Sequence, residues 1–196
     1  MGKARLEAFS DGVIAIIITI MVLELEAPHG HDLKALRPLL PVLLSYLLSF
    51  VYLGIYWSNH HHMLHAAERI DGKVLWANLH LLFWLSLMPF ATAWMGRTSA
   101  APVPVAAYGA VQLLAAVSYV VLQAALIAVP GQHSRLANAV GGDAKGKLSM
   151  LAYALAIPLA FVQQWISVAL YVAVALAWLV PDRRIESRVA PHDEAR

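Results

Sequence analysis

Long apolar segments constrain this chain more than any other feature. A helix that crosses the hydrocarbon core of a bilayer needs about 20 apolar residues, with about 17 as the lower limit. Apolar residues make up 60% of the chain and charged residues 13%, whereas soluble proteins have about 45–50% and about 25%. We therefore expect one all-helical membrane domain over 1–181 and a polar tail over 182–196. The predicted spans are about 6–25, 39–60, 74–95, 103–129, 148–162 and 165–180.

The last two spans share one apolar stretch that is too long for a single comfortable crossing. Pro158 and the polar pair Gln163-Gln164 divide this stretch into two short helices. One long kinked helix is the alternative interpretation. It would leave five spans and place the two termini on opposite sides of the membrane.

The positive charges favour six spans. With a cytoplasmic N-terminus, 11 of the 14 Lys and Arg residues lie inside, and only Lys34, Arg37 and Arg97 lie outside. Short loops rich in Lys and Arg stay in the cytoplasm. Glu24 and Glu26 follow the first apolar run where a signal peptide would have its small-residue cleavage site. We therefore expect an uncleaved first span and two cytoplasmic termini.

The first span carries polar residues that lipid does not favour. Asp11 lies within it, and an ionisable group in a span usually faces the bundle interior or a watery cavity. Alternatively, Asp11 lies near the cytoplasmic interface, where water reaches it. At about 100° per residue, one face contains Phe9, Gly12, Ile16, Thr19, Ile20 and Leu23. From spacing alone, this stripe fits either ordinary core packing or the lining of a pore.

Polar residues of the next two spans lie at the same depth as Ser10 and Asp11. A buried carboxylate needs hydrogen-bond donors, and Trp76 and His61 each offer an N–H. Asn78 offers both a donor and an acceptor. We therefore predict a polar cluster that joins the first three helices at the cytoplasmic side.

Histidines crowd the end of the second span, at His60, His61, His62 and His65. His61 and His65 are spaced i, i+4 and can share a metal, but a structural zinc site needs four ligands. His80 lies within the third span, away from that end. We expect no metal or cofactor site and interfacial histidines bonded to their neighbours.

An ordered set of motifs resembles the transmembrane protein 175 (TMEM175) potassium-channel family. The signature is Arg5-x-x-x-Phe9-Ser10-Asp11-Gly12-Val13, with Ala15-Ile16 and Val22-Leu23-Glu24 after it. The later motifs are Ser49-Phe50, Gly54, Tyr56-Trp57, Asn59-His60-His61, Leu75-Trp76-Ala77-Asn78-Leu79 and Pro89-Phe90-Ala91-Thr92. These motifs cover the first half almost continuously, while the second half matches mainly by hydropathy and Pro181-Asp182-Arg183-Arg184.

The resemblance implies a homotetramer of six-helix subunits, in which the first helix of each subunit lines a central pore. The chain has no Thr-Val-Gly-Tyr-Gly carbonyl filter, so selectivity would come from side chains. The implied pore residues are Ile16, Thr19, Ile20 and Leu23. Ile16 would form the narrowest apolar ring, which gates by excluding water. Family members differ in whether the residue at Thr19 or that at Ile20 faces the axis.

The resemblance also implies roles for the remaining polar residues. Glu24 and Glu26 near the outer mouth either concentrate cations or are simply solvated. His62 departs from the family pattern and leaves open a response to pH or metal. The residues expected to fix the pore helix without touching the ion are Arg5, Phe9, Ser10, Asp11, His60, His61, Trp76 and Asn78.

The sequence thus predicts a potassium-permeable cation channel of the bacterial inner membrane that is not an enzyme. Its expected partners are its own copies, membrane lipid and monovalent cations such as K⁺, and no nucleic acid. One alternative is a secondary or proton-coupled transporter with Asp11 and the histidines as proton relay. Another is a membrane enzyme or haem protein that uses His61, His65 and His80.

Overall fold

A computed structural model describes residues 2–28, 30–129 and 144–179. These residues form helices joined by short loops, without strands, and five helical stretches are long and apolar enough to cross a membrane. The predicted tail over 182–196 lies outside the described residues. The α-helices are α1 Lys3–Met21, α2 Leu40–Ala66, α3 Gly72–Ser86, α4 Met88–Arg97, α5 Pro102–Ile127 and α6 Ala144–Leu179. Two 3₁₀ segments, Val22–Glu24 and Leu33–Leu39, follow α1 and precede α2.

The segment predicted as a single span over 74–95 is two consecutive helices, α3 and α4. They meet at Leu87, and Pro89 stands in the first turn of α4, where its missing N–H costs no hydrogen bond. At the other end of α4, a Cβ on Gly96 would lie 2.8 Å from the Cα of Val42. A glycine is therefore required there, because α2 and α4 approach each other backbone to backbone.

Helix α6 is interrupted inside the predicted polar break. The backbone of Gln163 leaves the helical region, with φ −156° and ψ 100°. The arms on either side lie next to each other, since the Ser167 hydroxyl donates to the carbonyl of Ala156 at 2.7 Å. Further along, the Trp178 indole donates to the Ser149 hydroxyl at 2.9 Å. These pairings fit two antiparallel arms over 144–162 and 164–179.

Helix α1 lies at one edge of the subunit. It packs mainly on α2, α3 and α4, whereas α5 packs mainly on α6 and α3. The residues of α1 that this packing buries are Leu6, Ser10, Ile14, Ile17 and Met21. This arrangement leaves the opposite face of α1 open along its length.

Candidate pore-lining helix and its polar anchor

The open face of α1 is the stripe that the sequence pattern defines. Ile16 is 58% exposed and Leu23 is 76% exposed. Phe9, Gly12, Thr19 and Ile20 are exposed on the same face. Thr19 and Ile20 are both exposed, so either side chain can face a pore axis.

Gly12 occupies this open face in the middle of a helix. A Cβ at Gly12 would meet nothing within 4 Å. A glycine inside a helix costs about 1 kcal/mol relative to alanine. The contacts among the described residues therefore do not require a glycine at this position.

On the buried side, a chain of hydrogen bonds joins α1, α3 and α2. The Asn78 amide donates to the Ser10 hydroxyl at 2.9 Å, and Ser10 donates to the carbonyl of Leu6 at 2.9 Å. His60 Nε2 lies 2.7 Å from Asn78 Oδ1. Since that amide oxygen only accepts, the Nε2–H of His60 donates. All three side chains are fully or almost fully buried, so this chain of bonds anchors α1 to its neighbours.

The donor to Asp11 differs from the prediction. The Trp57 indole on α2 donates to Asp11 Oδ1 at 3.0 Å. The prediction of Trp76 and His61 as donors is wrong: Trp76 is 75% exposed, and the His61 ring stacks on Trp57, with ring centroids 6.0 Å apart. Trp57 precedes His61 by one helical turn and shares its face of α2. That i, i+4 spacing is the signal that sequence reasoning missed.

The other predicted anchor residues do not join this cluster. Arg5 and Phe9 are exposed on α1, as Trp76 is on α3. The residues that the structure connects are Ser10, His60 and Asn78 in one chain of bonds, and Asp11, Trp57 and His61 beside it.

The remaining histidines make local contacts. His61 and His65 stack with their ring planes 14° apart, and His61 also meets the edge of His62. His80 accepts a hydrogen bond from the indole of Trp84 at 3.0 Å. Within the described residues, no three His, Cys, Asp or Glu side chains are arranged to hold a metal ion.

The C-terminal end of α1 carries an ion pair that the sequence does not predict. The Arg97 guanidinium at the end of α4 lies 2.7 Å from Glu24 Oε2 and 3.8 Å from Glu26 Oε1. Between α1 and α4, an open groove of about 670 Å³ ends at this pair. Its walls are mostly apolar, with Ile16 and Ile20 on one side and Phe90 on the other.

The family model described as the endosomal/lysosomal potassium channel TMEM175 matches residues 5–89. A Chryseobacterium protein (strain P1-3) named a potassium channel is 50% identical over 186 residues, which are 95% of this chain and 97% of that protein. The chain belongs to the TMEM175 family. The resemblance predicted from the motifs is thereby confirmed.

Two further relatives cover nearly the whole chain. A Streptomyces collinus protein named a potassium channel is 31% identical over 89% of this chain and 90% of its own length. A crystal structure titled as a lysosomal potassium-selective channel TMEM175 homologue from Chamaesiphon minutus matches with a TM-score of 0.79 and 29% identity. It covers 93% of this chain and 97% of that one. The TMEM175 fold therefore extends through both halves, although the family model matches only the first.

Proposed function

We propose that this chain forms a potassium-permeable cation channel of the bacterial inner membrane, in which four copies of α1 surround the pore. The observation that carries the proposal is the division of α1 into two faces. One face is anchored to α2, α3 and α4, and the opposite face presents the apolar stripe with Ile16 and Thr19. The names of the bacterial relatives support a potassium channel.

Ile16 supplies the constriction in this proposal. Four isoleucine side chains around an axis form an apolar ring, which stops ions when it loses its water. One turn outward, the Thr19 hydroxyl donates to the carbonyl of Ile16 at 3.0 Å. Because its hydrogen is used in this bond, the Thr19 hydroxyl offers its oxygen lone pairs to a passing cation. Because such a pore offers few oxygen ligands, we expect moderate rather than strict selectivity for K⁺ over Na⁺.

The proposed topology has six spans and two cytoplasmic termini. The break at Gln163 and the pairing of Ser167 with Ala156 support a return of the chain across the membrane within α6. Both arms are shorter than an average span, so they would tilt little. Five spans would place the positive residues after Pro181 outside, against the charge rule.

The hydrogen bonds favour a channel over a proton-coupled carrier. A proton relay needs titratable groups that can exchange partners. Asp11 is bonded to Trp57, and His60 is buried against Asn78. These contacts hold helices together, which suits anchoring residues rather than a relay.

The proposal is tested by flux in liposomes that contain the purified protein. We expect potassium flux that needs no proton gradient and does not saturate like a carrier. Ile16→Asn should raise this flux severalfold, because an amide wets the constriction. Bi-ionic reversal potentials for K⁺ and Na⁺ in the same preparation give the selectivity.

A matched control is Ile166→Asn, which places the same amide on the exposed face of α6. It should leave the flux at the wild-type level. Equal flux in Ile16→Asn and the wild type would contradict the constriction. Absence of potassium flux in the wild type, or flux only with a proton gradient, would contradict the channel.

A further inference from the structure

Two acidic side chains and one basic side chain lie together at the outer end of α1. Glu24 and Glu26 follow α1, and Arg97 reaches them from the end of α4. The guanidinium is 2.7 Å from one carboxylate and 3.8 Å from the other. Two carboxylates and one guanidinium leave a single net negative charge at this point of each subunit.

We propose that Arg97 sets the outer surface charge that permeating cations meet, by neutralising half of the acidic pair beside α1. This inference rests on the proposed function, because it places Glu24 near the outer mouth of the pore. A mouth with one sign of charge raises the local concentration of the opposite ion. Removing Arg97 would double the net negative charge of this group in every subunit.

The ion pair suits an electrostatic role better than a structural one. The Arg97 side chain is 56% exposed and that of Glu24 is 36% exposed. Exposed ion pairs contribute little to folding stability. Variants at these two positions are therefore expected to fold, and their effects on conduction can be compared directly.

The wild type and three variants separate the effect of the net charge from the effect of the contact between Arg97 and Glu24. The net charge of Glu24, Glu26 and Arg97 is −1 in the wild type. It is 0 in Glu24→Gln and −2 in Arg97→Gln. The double variant Glu24→Gln/Arg97→Gln returns it to −1. The pair of Arg97 with Glu24 is intact only in the wild type. The other outer charges, at Asp32, Lys34 and Arg37, are the same in all four.

The measurement is potassium conductance at about 10 mM and about 1 M salt, where the Debye length is about 30 Å and about 3 Å. At low salt we expect conductance to follow the charge. Arg97→Gln should conduct about two- to fivefold more than the wild type, the double variant should match the wild type, and Glu24→Gln should conduct less. At high salt the four should converge.

The inference is overturned if the three variants change conductance in the same direction, because loss of the contact would then be the cause. It is also overturned if Arg97→Gln conducts no better than the wild type at low salt. A wild type that carries no potassium current would instead contradict the proposed function, so the two failures are distinguishable.

Discussion

Asn78 on α3 links α1 to α2 through two buried hydrogen bonds. Its amide donates to Ser10 on α1 and its carbonyl oxygen faces His60 on α2. A buried polar group that loses its partner costs about 1–3 kcal/mol. Asn78→Ala would remove this partner from the buried His60 ring, whereas the Ser10 hydroxyl keeps its bond to the carbonyl of Leu6.

We therefore expect Asn78→Ala to lower the free energy of unfolding by about 1–3 kcal/mol, measured by thermal or denaturant melting in detergent. Asn59→Ala is the control, since the Asn59 amide donates only one turn back in its own helix, to the carbonyl of Ile55. It should cost clearly less. Equal losses in the two variants would show that Asn78 is not a special anchor.

At the scale of single residues, sequence reasoning found the anchor but not every contact. The sequence predicts Ser10, His60 and Asn78 in one cluster, and in the structure Asn78 is bonded to both of the others. The donor to Asp11 was misassigned, because the choice between Trp57 and Trp76 depends on how α2 and α3 are rotated. The pair of Glu24 with Arg97 spans 73 residues, and no local pattern signals it.

Among the helices, proline and polar residues in the sequence predict one of the two breaks but not the other. The interruption of α6 at Gln163 falls in the predicted polar break. The division between α3 and α4 was not predicted, although Pro89 is visible in the sequence. A proline in an apolar run is compatible with a continuous kinked helix, so only the observed backbone distinguishes the two cases.

Gly12 lies on the open face of α1, where a larger side chain should affect folding and assembly differently. We expect Gly12→Leu to leave the melting temperature of the subunit unchanged or raised, because the site has room and leucine is the better helix former. The same variant should disrupt assembly, because the four α1 helices would no longer pack closely. Thermal melting in mild detergent checks the first part of this expectation, and the subunit count by native mass spectrometry checks the second.

Ala154→Leu is the control for added bulk, since Ala154 is exposed on α6. It should keep the wild-type subunit count. A stable, fully assembled Gly12→Leu channel would mean that α1 does not meet its copies at this level.

In the whole molecule, the open face of α1 is one of several exposed apolar faces. Many apolar side chains are exposed on α2, α5 and α6 as well, because lipid covers them. Exposure alone therefore does not separate a pore face from a lipid face. Composition predicts a membrane protein, and hydrophobic periodicity predicts the apolar stripe on α1. The packing of the opposite face of α1 on α2, α3 and α4 shows that this stripe is the open face.

We propose that the exposed face of α1 lines the ion pathway. The chain contains no cysteine, so single cysteines can be placed at Leu23 on the stripe and at Met21 on the buried face. We measure potassium current before and after a membrane-impermeant, positively charged thiol reagent. We expect the reagent to block Leu23→Cys strongly and to leave Met21→Cys and the wild type unaffected. An unaffected current in Leu23→Cys, with its thiol shown to be modified, would contradict it.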